Sequence, residues 1–131
     1  MRFYTSKSTA DRFQKIMDTM AQGGTKLKIV SLAQICFALS LREYGNNLKF
    51  ENNWNEWKEI LDIHFLWKEI NFYKAIADTV YNRSLTDEEF FSTVWVVKYH
   101  VDKWSEILFK IFEDVRRDAE AFKDKLINLA G

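Results

Sequence analysis

The side chains of this chain best suited to chemistry are two histidines, one cysteine and two groups of carboxylates. A dinuclear site in a helical bundle needs inward carboxylates with an E-x-x-H pairing. Neither His64 nor His100 has a glutamate three residues before it. A tetrahedral metal site would need further Cys or His ligands, and Cys36 is not near either histidine in sequence. Glu56, Glu59 and Asp62, and likewise Glu113, Asp114 and Asp118, therefore read as solvated helix faces, and the histidines as packing or hydrogen-bonding residues. No phosphate-binding glycine loop, dinucleotide fingerprint or nucleophile elbow is present. The expectation is a protein that is not an enzyme and takes neither metal nor cofactor.

What remains is charge. The formal net charge is zero, yet residues 1–49 hold eight Lys/Arg against three acids, a local +5, and the remainder holds eleven against sixteen, −5. A basic segment on a neutral chain can serve as a local footprint for phosphates. Lys26 and Lys28 are of special interest, because the sequence predicts a helix capped by Thr25 with both lysines in its first turn. Cations in a first turn oppose the helix dipole, and an anion held by the free N–H groups and both lysines would relieve that opposition.

These residues need a scaffold, and the composition supplies one. The 131 residues are 47% hydrophobic, 16% aromatic and free of proline. They suffice for one packed core and contain little to interrupt helices. The fold expected is all-α, a compact helical bundle forming a single domain over 1–131. Arg2-Phe3-Tyr4-Thr5-Ser6 favours a strand or an extended arm at its start. Ser8 to Asp11 has a helix-start pattern, and Phe13, Ile16, Met17 and Met20 give the helix from about Thr9 to Ala21 one apolar stripe. Gly23-Gly24 ends it.

Leu27 to Leu41 is almost wholly apolar and should be the central buried helix, with Cys36 inside it as a small hydrophobe. It is shorter than a membrane span, and with one cysteine no intrachain disulfide can form. A cytoplasmic protein is expected, without membrane partners. The spacing from Trp54 to Val80 predicts one or two helices bending near His64, and Thr86-Asp87-Glu88-Glu89 predicts a capping box. A long C-terminal helix should follow. Val94, Val97, Val101, Trp104, Leu108, Ile111 and Val115 form a heptad seam, expected to pack in the bundle and also to join copies of the chain. Beyond about 115 the chain reads as a polar helical extension.

Several of these stretches also resemble a known family. The run Phe3 to Lys7, the helix with Phe13 and Ile16, the glycine break and Val30 to Leu41 are similar to the N-terminal half of the DndE family. Its members are small helical components of the bacterial DNA phosphorothioation systems, which place sulfur in the DNA backbone. Ile60-Leu61 through Tyr73-Lys74-Ala75-Ile76, and His100-Val101-Asp102-Lys103-Trp104 in place of an H-I-E-R-G segment, extend the resemblance over roughly 2–109. Gln34 stands where the family often has arginine, and Trp104 where it has glycine.

The resemblance implies a non-catalytic protein that is oligomeric, a tetramer or dimer, and binds duplex or nicked DNA beside the sulfur-transfer and ATPase subunits. The residues expected to contact phosphates are Lys7, Arg12, Lys15, Lys26 and Lys28, together with Arg2. Two alternatives use the same sequence differently. A ribbon-helix-helix regulator would pair strands from two copies in the major groove, reading bases with Arg2, Tyr4 and Ser6. An adaptor without nucleic-acid contact would hold a partner by the heptad seam.

Overall fold

The structure, a computed structural model, describes residues 2–46, 57–62, 70–91 and 96–130. Helices make up most of it. In chain order they are α1 (Lys7–Gln22), α2 (Ile29–Tyr44), α3 (Ile70–Tyr81), α4 (Asp87–Phe91), α5 (Val96–Asp114) and α6 (Ala119–Ala130). Strand β1 (Arg2–Ser6) precedes α1 and pairs antiparallel with β2 (Trp57–Asp62), with an irregularity between Phe3 and Tyr4. The fold is thus all-α with a two-stranded ribbon at its N-terminus.

β2 corrects the helical reading of Trp54 onward, since Trp57–Asp62 is a strand. An isolated β1 would leave its backbone groups without partners, and pairing with these residues outweighs their helical spacing. The predicted bend at His64 lies outside the described residues, and the helix predicted through Tyr73, Ile76 and Val80 is α3. The ribbon closes within one chain, whereas a ribbon-helix-helix dimer would take the second strand from another copy.

Helix α1 starts two residues earlier than predicted. Ser6 rather than Ser8 is its cap, with the Thr9 N–H donating to Ser6 Oγ at 3.3 Å. Its stripe of Phe13, Ile16 and Met20 is buried without exposed surface, against Leu32, Ala33, Cys36 and Phe37 of α2 and the inner face of α5. Burying side chains of this size contributes about 1.5–3 kcal/mol each before the cost of ordering them. The central helix runs from Ile29 rather than Leu27, and Gly45 ends it at φ 56.

The seam of α5 is used inside the chain. Val97, Val101, Trp104 and Leu108 are buried in its own core, which corrects their assignment to an interface between copies. Ile111 and Val115 are half-buried against the same core, and Val94 lies outside the described residues. Apolar residues off the seam explain the difference. With Val96 and Phe112 also facing inward, α5 offers a stripe wide enough for both α1 and α2.

The chain beyond Asp114 forms the helical extension expected and packs on the core. Arg116 and Arg117, at φ 55 and 57, turn it, Asp118 caps α6 through the Ala121 N–H at 2.9 Å, and Phe122 is fully buried edge-on to Phe112 at 5.2 Å. Gly23 makes this docking possible. A Cβ placed there would lie 2.7 Å from the Ala119 Cβ, closer than two carbons can stand. We expect Gly23→Ala to destabilise the chain by about 1–3 kcal/mol, through overpacking rather than backbone strain. Urea unfolding measures that cost, and amide hydrogen exchange should show it concentrated in α6. A neutral outcome would mean that α6 is not held against the end of α1.

Candidate nucleic-acid interface

The expected phosphate-contact residues do not converge. Lys7 opens α1, and the loop carrying Lys26 and Lys28 leaves from its far end. A helix of 16 residues separates them by about 24 Å. All three side chains are exposed, and among the described residues no ion pair engages them. Arg2 is on β1 opposite Asp62, and only its backbone is described.

The anion site expected at the start of α2 is altered. Thr25 does not cap the helix, and Lys26 precedes its first turn. Lys28 occupies the cap position in extended conformation, with no side-chain cap. The Thr25 N–H is committed to the Met20 carbonyl at 2.8 Å. The physical reason is Gly24, whose positive φ of 85 carries the chain away from α1. The segment Thr25 to Lys28 is not helical, and α2 begins only at Ile29.

Arg12 and Lys15 are brought together, on the side of α1 that meets α5. Arg12 Nη1 donates to Ser105 Oγ at 3.1 Å, and Lys15 Nζ sits 5.7 Å from the centre of the Phe109 ring. Arg117 reaches the same ring at 5.8 Å while paired with Glu113 at 2.7 Å. Glu113 is held below the usual carboxylate range, first by its hydrogen bond with Arg117 and further by the charges of Arg117 and Lys15. Arg117 belongs to the acidic part of the chain, and Ser105 carries no charge. Neither is marked in the sequence, since only the parallel course of α1 and α5 places them here.

Beneath this face lies a polar cluster. Asp102 Oδ1 accepts from the Ser6 N–H at 3.0 Å and from Thr9 Oγ1 at 2.7 Å, while its Oδ2 binds Lys98 Nζ at 2.6 Å. Ser105 Oγ donates to the Asp102 carbonyl at 2.7 Å. The cluster ties the junction of β1 and α1 to α5, which fixes the angle at which Arg12 leaves its helix.

A second buried array involves His100. Its Nδ1 lies 2.6 Å from Ser40 Oγ and its Nε2 3.0 Å from the Tyr81 hydroxyl. Burial pushes His100 down to about 4. Burial also pushes Tyr81 up to about 12, with Arg83 pulling slightly the other way. The Cys36 thiol is pushed up by burial and then by the charge of Asp102. The distances suit a nucleophile and base, but Ser40 and His100 have no exposed surface, so no substrate reaches them in this arrangement. A neutral imidazole needs one donor and one acceptor, and two hydroxyls supply both. This is the hydrogen-bonding histidine anticipated, whereas His64 lies outside the described residues.

Among the described residues no three His, Cys, Asp or Glu side chains are grouped to hold a metal ion, and no helix is long and apolar enough to cross a membrane. Compared with protein-family models, curated proteins and solved structures, the chain matches none.

Proposed function

We propose that the chain is a non-catalytic, cytoplasmic DNA-binding component of the kind found in DNA phosphorothioation systems, gripping duplex or nicked DNA by its phosphates. The observation that carries this reading is the state of its basic N-terminal segment. Lys7, Lys26 and Lys28 are exposed and free of ion pairs among the described residues, whereas Lys98 and Arg117 of the acidic part are paired with carboxylates. Their separation suits a polymer better than a small anion. Duplex DNA presents about one negative charge per 1.7 Å of axis, so cations about 24 Å apart can each meet a phosphate.

The alternatives draw less support. The adaptor reading relied on a seam that is largely buried, and the ribbon-helix-helix reading on a strand that already has a partner in its own chain. Assembly into a dimer or tetramer would have to use surfaces other than Val97, Val101, Trp104 and Leu108.

Binding to intact and nicked duplexes of several sequences across a salt series tests the proposal. The expected result is sequence-independent affinity that falls steeply with salt. In Lys26→Ala/Lys28→Ala the slope of log affinity against log salt should fall by about 2, close to one for each lost phosphate contact. Affinity that ignores salt, or a slope unchanged in the double variant, would remove these lysines as phosphate contacts.

A further inference from the structure

Arg12 differs from the exposed lysines because its guanidinium is oriented and yet has no carboxylate partner among the described residues. It is half-buried between α1 and α5, and its one hydrogen bond among the described residues goes to a neutral oxygen, Ser105 Oγ. Asp102, the acid of that cluster, already serves Lys98, Ser6 and Thr9. Glu113, further along α5, holds Arg117.

Proton bookkeeping explains the orientation. A serine hydroxyl has one proton, and Ser105 gives its own to the Asp102 carbonyl at 2.7 Å. Towards Arg12 it therefore presents only lone pairs. Thr9 Oγ1, 3.0 Å from Ser105 Oγ, donates to Asp102 Oδ1 at 2.7 Å and so leaves that acceptor position open. The contact fixes Nη1 and leaves most of the five guanidinium N–H donors without a partner among the described residues. One turn further along α1, Lys15 lies over Phe109 on the same side.

We propose that Arg12, held in place by Ser105, is the group that grips a phosphodiester of bound DNA, with Ser105 acting as its positioning residue and Lys15 adding charge beside it. The assignment rests on the DNA-binding reading. A guanidinium can meet a phosphate with two parallel hydrogen bonds, which a lysine cannot. Holding it in advance reduces the side-chain freedom lost on binding. The remaining lysines then supply charge without geometry.

The test measures anisotropy of a labelled intact duplex with the full-length chain and its variants Arg12→Lys, Arg12→Ala, Ser105→Ala, Ser105→Thr and Arg12→Ala/Ser105→Ala. Arg12→Lys keeps the charge and should still lose about tenfold in affinity, because the bidentate contact is gone. Ser105→Ala should lose severalfold at an unchanged salt slope, Ser105→Thr should restore the affinity, and Arg12→Ala should lower the slope by about 1. In the Arg12→Ala background, Ser105→Ala should cost nothing more, which a general loss of packing would not produce. Thermal unfolding of each variant confirms that it is folded. Salt-dependent binding in which Arg12→Lys matches the unaltered chain, or additive losses from the two sites, overturns this assignment alone. Absence of salt-dependent binding removes the DNA reading together with it.

Discussion

Asp102→Ala should cost about 3–5 kcal/mol of folding stability, the range for breaking a buried ion pair by removing one partner. The pair in question is unusually enclosed, with Lys98 only 4% exposed and Asp102 17%. Alanine would leave the ammonium buried beside the Tyr99 ring, its centre 4.9 Å from Nζ, with no anion. It would also strip the Ser6 N–H and the Thr9 hydroxyl of their acceptor at the junction of β1 and α1. For a domain whose total stability is about 5–15 kcal/mol this is a large fraction. Asp102→Asn should fall between, because its amide oxygen can still accept from Ser6 and Thr9 while its NH2 group opposes Lys98. The decisive variant is Lys98→Met/Asp102→Ala. Removing the orphaned cation should make it more stable than Asp102→Ala alone, although it carries one more substitution. Urea unfolding of the three chains measures this. A single variant losing less than about 1 kcal/mol, within the range of exposed pairs, would show that the cluster is solvated rather than buried.

The same cluster shows where reading the sequence reached its limit. Local signals were legible because the interacting groups lie within one turn. Thr86 and Glu89 form the reciprocal capping box anticipated, with Glu89 N–H to Thr86 Oγ1 at 3.1 Å and Thr86 N–H to Glu89 Oε1 at 3.2 Å. Gly23 ends its helix as expected, and the stripe of Phe13, Ile16 and Met20 faces the core. Non-local signals failed. Trp57 to Asp62 has helical spacing, and nothing within it announces that Arg2–Ser6 requires a pairing partner. The valine seam of α5 is periodic in a way that fits a second copy as well as α1 and α2, and only the fold decides between them.

The candidate site divides in the same way. The exposure of Lys7, Lys26 and Lys28 follows from their charge. By contrast, the spacing of Arg12 and Lys15 on one helix could not reveal Ser105, Phe109 and Arg117 across from them. Ser8 and Ser6 make the point within a single turn. Both lie at the start of α1 with suitable chemistry, but Ser6 is preferred as the cap because its backbone N–H and hydroxyl also reach Asp102, far along the chain.

His100 should make stability depend on pH through its burial. Its folded value is about 4, below the ordinary 6.5, because burial disfavours the imidazolium. The unfolded chain therefore binds the extra proton first. Stability is fully present above pH 6.5, declines as pH falls towards 4, and loses nothing further from this group below that. A displacement of this size corresponds to about 3 kcal/mol. Glu89, held near 2 mainly by its hydrogen bond with Arg83, acts in the same direction but only as pH falls below about 4.5, so the two windows separate. The expected result is a loss of unfolding free energy between pH 6.5 and 4.5 that is largely absent in His100→Gln, whose amide retains a donor and an acceptor without a titrating ring. Ser40 and Tyr81 would keep some of their bonding in that variant, so a lower stability at pH 7 with a flatter slope is the signature. Equal slopes in the two chains would mean that the imidazole accepts its proton while folded, and the neutral link between α2 and α3 through His100 would have to be given up.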